Sequence, residues 1–403
     1  MKIDAEIPYG GYWCTPFCRW QNDFKNLHAL KFAGYVAKSE LESRDLGGDF
    51  FDFTVLATTI PQTHSFYGAP WVATMAGLDL VSGPTISQAC ASGVRGVVTA
   101  LGEIELGLAE SVLVVAADRT SNGAHLYYPN SEGVGGGGEK ENWVLDNFFF
   151  DPTGPNAMID TAENVAKKHG ISLEEQHAVV VQRSEQYQNG LVDDLSFHKR
   201  FMRLPFSVPD ARFRKSIGEL RSDVGILPST VQSVAALPPV REGGTVTYAA
   251  QTHPADGNAS LIVATREKCE AATLDPSIHI KILGVGQSRV KQAHMPEAVV
   301  PAAIAALGQA DLSMSNIDVV KTHNPFAVND ILFARATGFP LEEMNNYGCS
   351  LIWGHPQAPT GTRSIIELIE ELVIRGGGIG LFSGCAAGDS AMALCISVES
   401  RSH

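Results

Sequence analysis

The segment Thr85-Ile-Ser-Gln-Ala-Cys90-Ala-Ser-Gly-Val-Arg-Gly96 passes from a short apolar run through one cysteine into a helical pattern. A cysteine at a helix N-terminus faces free backbone N–H groups and the positive end of the helix dipole, and both favour thiolate over thiol. The segment therefore predicts a nucleophile at Cys90, while a buried structural cysteine is the alternative that it leaves open. The apolar residues that recur near helical spacing are Val94, Val97, Val98, Leu101, Ile104 and Leu106.

The composition is that of a globular chain with room for two or three domain-sized units. Its 403 residues are 44% hydrophobic and 18% charged, which excludes the disordered class. A formal net charge of −14 argues against nucleic acid or an anionic membrane as the main partner. No apolar stretch reaches membrane-spanning length, no signal-peptide pattern opens the chain, and the seven cysteines are scattered. We therefore expect a cytoplasmic protein with reduced thiols.

Changes in composition and in the pattern of apolar residues along the chain predict its domain organisation. Residues 1–118 alternate short apolar strands with helical patterns, which predicts an α/β fold with a mostly parallel sheet. Residues 119–247 are polar, aromatic and glycine-punctuated, which predicts an inserted loop domain, and about 248–275 then complete the first half. Residues 276–403 return to the strand and helix alternation. Both halves run strand, small-residue turn, helix and strand, a coarse duplication that would bring their reactive turns to one interface.

Three further residues are candidates for chemistry beside Cys90. His355 lies between Gly354 and Pro356 before a helical pattern, so its imidazole is expected to be held in place, and a histidine beside a cysteine is a common way to activate the thiol. Cys385 lies in a run of small residues that predicts a tight turn, where a second thiol can act as an acid or base. His323 directly follows an apolar strand, the usual place for functional side chains in α/β sheets.

Four short motifs stand out along the chain: Ser87-Gln-Ala-Cys90-Ala-Ser-Gly93, Thr161-Ala-Glu-Asn-Val-Ala166, Gly354-His355-Pro356 and Gly384-Cys385. They occur in the order and spacing of the thiolase superfamily, which the chain resembles from about residue 50 onward. The resemblance implies two similar βαβαβαββ halves in a five-layered αβαβα fold, a loop domain inserted in the first half, and a homodimer or dimer of dimers. It also implies acyl-CoA and CoA as substrates. We expect no resident cofactor and no metal.

The resemblance also implies roles for these residues. Cys90 would accept the acyl group, His355 would activate it, and Cys385 would exchange the proton at the substrate α-carbon. One oxyanion hole would combine His355 with His323, and the other would use the backbone N–H groups of Cys90 and Ala387.

Five more residues are expected to contact the substrate or CoA. Met158 matches a pocket methionine of the family, and Thr252 falls where a serine often lies near the pantetheine arm. Because the chain is acidic, the CoA phosphates need a local basic patch, and Arg212, Arg214 and Arg221 form the best cluster. An ordinary solvated charged face is the alternative for these arginines.

Departures from the usual motifs point to an unusual acyl group. The chain reads His323-Asn-Pro-Phe326 where many thiolases read Asn-Glu-Ala-Phe, and Ala157 precedes Met158 where many short-chain members have histidine. With these changes, the chain resembles the His-containing branch of the superfamily. Members of that branch work with a small zinc-ribbon partner protein that carries an oligonucleotide-binding-like (OB) domain. Within it, the chain looks like the catalytic subunit of a thiolase for bulky aromatic substrates of the benzoylsuccinyl-CoA type.

The sequence therefore predicts CoA-dependent thiolysis of a 3-oxoacyl-CoA, although the reverse condensation would use the same residues. A ketosynthase-like condensing enzyme is one alternative, but such enzymes generally lack a second catalytic cysteine like Cys385. A non-catalytic lipid-carrier or scaffold subunit is the other alternative, and the presence of all four candidate residues argues against it.

Overall fold

A computed structural model describes residues 3–400 as an α/β protein built on one large sheet and two small ones. The strands are β1 (Glu6–Ile7), β2 (Tyr12–Cys14), β3 (Cys18–Arg19), β4 (Phe53–Ala57), β5 (Thr85–Ile86), β6 (Ser111–Arg119), β7 (His125–Tyr128), β8 (Glu139–Asn142), β9 (Phe206–Pro209), β10 (Ser216–Leu220), β11 (Ala255–Ala264), β12 (Ile278–Arg289), β13 (Val319–His323), β14 (Gly377–Ala386) and β15 (Ser390–Ser400). The helices are α1 (Ala29–Glu42), α2 (Gly68–Met75), α3 (Ser92–Glu105), α4 (Leu145–Phe149), α5 (Met158–His169), α6 (Leu173–Asn189), α7 (Val192–Leu195), α8 (Val231–Ala235), α9 (Arg266–Ala272), α10 (Val299–Gln309), α11 (Ala327–Thr337), α12 (Ser350–Trp353) and α13 (Ala358–Ile374). Within the described residues, no helix is long and apolar enough to cross a bilayer.

The large sheet joins both halves of the chain in the order β13-β14-β15-β12-β1-β11-β6-β4-β5. Parallel pairing is confined to β13 with β14 and to β4 with its two neighbours, and the remaining pairs are antiparallel. The expectation of a mostly parallel sheet was therefore wrong. The reason is that each half returns through long antiparallel strands, β11 beside β6 and β15 between β14 and β12, which helical punctuation alone does not reveal.

In the first half, alternate residues of β6 face two different helical layers. Leu113 and Val115 pack in one buried cluster with residues of α1 and α2. Val112 and Val114 pack in the other cluster with Val94 and Val97 of α3. This period of two is typical of a sheet that is covered on both faces.

In the second half, the strands are likewise covered by α13 on one face and α10 on the other. Gly380 of β14 is packed against Leu368 of α13, and Gly286 of β12 lies so close to α10 that a Cβ there would meet Ala302 O at 1.9 Å. Because α13 also packs against α3, the layers run from α1 and α2 through sheet, α3 with α13, and sheet again to α10. The two central helices are α3 and α13, and their N-terminal ends lie next to Cys90 and His355.

Residues between β6 and β11 leave the large sheet and form two small antiparallel hairpins and several helices. One buried anchor ties this segment to the central layer, because Asp223 accepts hydrogen bonds from the Arg363 guanidinium of α13 at 2.6 and 2.9 Å. The Tyr187 hydroxyl donates to the same carboxylate at 3.0 Å. A paired and hydrogen-bonded buried charge of this kind fixes the segment firmly onto α13.

Candidate active site

Cys90 lies on a tight connection between β5 and α3. The preceding residue, Ala89, has a φ of 46°, a left-handed conformation that non-glycine residues rarely adopt. The Ser92 hydroxyl holds this bend, accepting from the Gln88 N–H at 2.7 Å and donating to the Ala89 carbonyl at 2.7 Å. The chain therefore presents the half-buried Cys90 just before the first helical turn.

His355 points its ring at Cys90 from the start of the other central helix. Its Nε2 lies 3.0 Å from Cys90 Sγ, and its Nδ1 lies 2.6 Å from the Thr360 hydroxyl in the first turn of α13. The His355 N–H donates to the His253 carbonyl at 2.9 Å. Gly354 permits this bend at a φ of 94°, and a Cβ there would meet His253 Nε2 at 2.7 Å, so glycine is required twice over.

His323 is the last residue of β13 and lies beside His355, with ring centroids 4.2 Å apart. Its Nδ1 lies 2.8 Å from the Ser350 hydroxyl. Its Nε2 is buried and has no hydrogen-bond partner among the described residues 3–400. A buried ring nitrogen without a partner is costly unless a ligand satisfies it, so this atom is available to a substrate oxygen.

Cys385 lies at the same edge of the sheet as His323, because β13 and β14 pair in parallel with His323 opposite Gly384. The sequence predicted a turn at Cys385, whereas the strand continues through Ala386 and the chain turns at residues 387–389. The thiol is buried, and its sulfur accepts a hydrogen bond from Asn329 Nδ2 at 3.3 Å.

Electrostatics keep the Cys90–His355 pair neutral in the resting protein. Burial raises the pKa of Cys90 to about 11, although the backbone N–H groups of Ala387 and Cys90 itself hydrogen-bond the sulfur and lower it. Burial lowers the pKa of His355 to about 3. The expectation of a ready thiolate is thus wrong for the resting state, because desolvation outweighs the helix N-terminus.

The same burial acts on the other two candidates. Burial holds the pKa of His323 well below its usual range, and the nearby His355 adds a smaller effect in the same direction. Burial and the neighbouring Cys90 raise the pKa of Cys385, whereas the Asn329 amide opposes them. All four side chains are therefore uncharged near neutral pH.

Asp118, at the end of β6, was missed by sequence reasoning and joins the loop after β4 to the start of α13. Its carboxylate accepts from the Thr59 N–H at 2.8 Å and from the Ala358 N–H, at the start of α13, at 2.9 Å. Burial raises the pKa of Asp118 to about 6. The available signal was a charged residue near the carboxyl end of an apolar strand. Ser350, Thr360 and Asn329 were missed as well, since nothing in their local sequence marks them.

The residues expected to bind CoA divide into two groups. The Thr252 hydroxyl donates to the Ser350 carbonyl at 2.5 Å, next to the hydroxyl that holds His323, and Met158 is the first residue of α5. The second group is the three arginines Arg212, Arg214 and Arg221, which are exposed. Within the described residues, they form no hydrogen bond or ion pair with the four candidate residues. Phe213, which lies between the first two, packs against Phe32 of α1 on the outer layer.

The donor types at the site also suit a soft metal ion. Ligand atoms of Cys90, His323 and His355 lie within 4.8 Å of one another. Two ligands on a tetrahedral zinc ion, one sulfur and one nitrogen, would be roughly 3.6 Å apart. The 3.0 Å between Cys90 Sγ and His355 Nε2 is shorter and matches a hydrogen bond better, so the arrangement favours proton transfer.

The chain is similar in sequence and fold to known proteins over nearly its whole length. The chain is 26% identical to the acetyl-CoA acetyltransferase of Escherichia coli (strain K12) over 386 residues, 95% of this chain and 96% of that protein. It is 25% identical to the mitochondrial 3-ketoacyl-CoA thiolase of Homo sapiens, again covering 95% and 96%. The crystal structure of the human mitochondrial 3-ketoacyl-CoA thiolase in complex with CoA matches with a TM-score of 0.88 at 24% identity, covering 100% of both chains.

These matches confirm the predicted fold class. The family model described as "Thiolase, N-terminal domain" matches residues 12–267, and "Thiolase, C-terminal domain" matches residues 277–398. Since the two matches together span most of the sequence, the chain belongs to the thiolase family of acyltransferases.

Proposed function

We propose that the protein cleaves a 3-oxoacyl-CoA with CoA, through an acyl group carried on Cys90. The observation that carries this proposal is the 3.0 Å contact between Cys90 Sγ and His355 Nε2. The second thiol, Cys385, lies on β14, the strand that pairs with the His323 strand β13. A neutral thiol beside a neutral imidazole is poised to transfer its proton at the moment of attack. Nδ1 of His355 then carries the ring hydrogen and donates it to Thr360.

In the first half-reaction, the Cys90 thiol passes its proton to His355 and its sulfur attacks the 3-oxo carbon. The backbone N–H groups of Cys90 and Ala387, which already hydrogen-bond the resting sulfur, would donate to the oxyanion. The carbon–carbon bond breaks, and its electron pair leaves as an acyl-CoA enolate. Cys385 protonates the α-carbon, which leaves an acyl thioester on Cys90 and a thiolate at Cys385.

The enolate oxygen needs hydrogen-bond donors of its own. His323 can supply one donor if its ring hydrogen is on Nε2, the buried atom without a partner among residues 3–400. The Ser350 hydroxyl, 2.8 Å from Nδ1, would then donate to that nitrogen instead of to Asn324 Oδ1, which lies 3.0 Å away. His355, once protonated, donates beside His323. In the second half-reaction, CoA attacks the thioester while its thiol proton passes to Cys385, and His355 returns its proton to Cys90.

The acyl group that we propose is bulkier than acetyl, with an aromatic 3-oxoacyl-CoA as the candidate class. The departures at His323-Asn-Pro-Phe326 and at Ala157 support this proposal, as does the resemblance to the branch with a zinc-ribbon partner. The aromatic run Trp143–Phe150 does not add support, because Phe149 and Phe150 are exposed. We also propose a homodimer, because β5 next to Cys90 is an edge strand of the sheet.

The test is a thiolysis assay with short, long, branched and aryl 3-oxoacyl-CoAs, with and without zinc-ribbon proteins. Mass spectrometry of the quenched enzyme should find the acyl group on Cys90, and Cys90→Ser should lose it. Cys269→Ser is the matched control, since that buried thiol lies at the outer helix α9 and should leave the adduct intact. An adduct that persists in Cys90→Ser would contradict the proposal, and no adduct with any substrate would favour a scaffold.

A further inference from the structure

The Cys385 thiol accepts a hydrogen bond from a side-chain amide that has no role in the reaction steps proposed above. Asn329, in the first turn of α11, is completely buried and its Nδ2 donates to Cys385 Sγ at 3.3 Å. Its other amide atom, Oδ1, has no hydrogen-bond partner within the part of the chain that the structure describes. A buried amide that leaves one atom unsatisfied while serving a sulfur is unusual, because an apolar side chain would pack there at lower cost.

The surroundings of Cys385 explain why the amide matters. The ionisable side chains that act most strongly on this thiol are Cys90 and Asp330, and both disfavour a negative sulfur. Asp330 is already paired with Arg183 at 2.8 Å. His323 on the adjacent strand is kept neutral by burial. The Asn329 amide is the side chain that donates a hydrogen bond to Cys385 and favours its thiolate.

The position of the amide is fixed by its own element. The Asn329 N–H donates to the Phe326 carbonyl at 3.1 Å. The next residue, Asp330, accepts from Thr322 at 2.6 Å and from Asn324 at 2.7 Å, which fastens α11 to the end of β13. The same segment carries His323, so the donor to Cys385 and the donor proposed for the enolate oxygen are positioned together.

We propose that Asn329 is a positioning residue for Cys385: its amide orients the sulfur toward the substrate α-carbon and stabilises the thiolate left when Cys385 gives up its proton. The proposal rests on the function proposed above, in which Cys385 moves the α-proton. It assigns Asn329 no part in forming the Cys90 thioester. A hydrogen bond to an ionised group has the strength to change the rate of this proton transfer roughly 10- to 100-fold.

The test separates the two thiols. In Asn329→Leu, which keeps the size and removes the donor, Cys90 acylation by a simple acyl-CoA should stay within about twofold of wild type. Exchange of α-protons with D₂O, followed by NMR, should fall roughly 10- to 100-fold, and its pH profile should move about one unit or more to the alkaline side. Asn329→Ser, a smaller donor, should fall between wild type and Asn329→Leu.

A control variant isolates the contact with sulfur. Asn345→Leu removes another fully buried amide from the same network, one that donates to Thr322 and Asp330 but makes no hydrogen bond to Cys385. It should leave the pH profile of exchange in place. An unmoved profile in a folded Asn329→Leu or Asn329→Ser variant, or a parallel loss of acylation and exchange, would overturn the proposal.

A second measurement remains valid if the proposed function itself fails. In a Cys90→Ser background, the rate at which iodoacetamide alkylates Cys385 can be followed against pH by peptide mass spectrometry, without any substrate. Adding Asn329→Leu should move this profile to higher pH, and an unchanged profile would contradict the role of the amide. A wild-type enzyme without acylation or exchange, combined with a shifted alkylation profile, would refute the thiolase reaction while supporting the hydrogen bond.

Discussion

The two thiols of the site come from the two halves of the molecule and are supported in different ways. Cys90 stands on a strained bend before a helix, half-buried, with an imidazole nitrogen 3.0 Å from its sulfur. Cys385 is a fully buried strand residue whose side-chain partner is a neutral amide at 3.3 Å. A thiol with a base can lose its proton while it attacks, whereas a thiol with only a hydrogen-bond donor is suited to serve as an acid, because the donor stabilises the thiolate that is left.

The largest expected effect separates these two tasks. Cys90→Ser should abolish acyl transfer, because a serine hydroxyl is a much weaker nucleophile than a cysteine thiol. Cys385→Ser should keep acylation from a simple acyl-CoA and lose α-proton exchange, measured by mass spectrometry and by deuterium uptake. α-Proton exchange at the wild-type rate in Cys385→Ser would show that Cys385 does not transfer the α-proton.

A pH profile tests the neutral state of the first thiol. Since the pKa of Cys90 is raised to about 11 and that of His355 is lowered to about 3, thiolate is scarce near neutral pH. Alkylation of Cys90 in a Cys385→Ser background should therefore rise about tenfold per pH unit between pH 7 and 9. A plateau over that range would instead indicate a preformed thiolate–imidazolium pair.

A substitution at Thr360, which contacts the base beside Cys90, is expected to have a smaller effect on activity than the loss of either thiol. Thr360→Val removes the hydroxyl that lies 2.6 Å from His355 Nδ1 and frees the ring to turn. We expect kcat for acylation to fall roughly 10- to 100-fold with little change in thermal stability. Thr99→Val is the matched control, because that hydroxyl only bonds the Arg95 carbonyl within α3, and it should retain full activity.

The smallest expected effect concerns stability. Burial raises the pKa of Asp118 to about 6, above that of an unfolded aspartate, so the folded state binds this proton more tightly. Stability from this group is therefore full below about pH 4 and declines as the pH rises through about 6, by roughly 2–3 kcal/mol. Urea unfolding at pH 4.5 and 7 should show a smaller pH difference in Asp118→Asn than in wild type. Equal differences would mean that the carboxyl titrates normally.

The sequence pointed to the candidate residues, which the structure brings together, but not to their protonation state. Cys90, His355 and Cys385 stood out because small residues and helical patterns surround them locally. The neutral state of Cys90 depends on burial by elements that no local window contains. Asp118 meets Ala358 across 240 residues, and Asn329 meets Cys385 across 56, so neither partner is visible in a motif. The antiparallel returns β11 and β15 were missed because strand direction is decided by distant pairing.

The separation of Cys90 and His355 by 265 residues has a consequence for the life of the chain during synthesis. A ribosome that has completed the first half has made Cys90 but has not yet made His355 or α13, which packs against α3. Until then, the thiol has only the environment that the first half provides. On the proposed function, acyl transfer would therefore require both halves to be packed together, and its recovery would report their joining rather than the folding of either one.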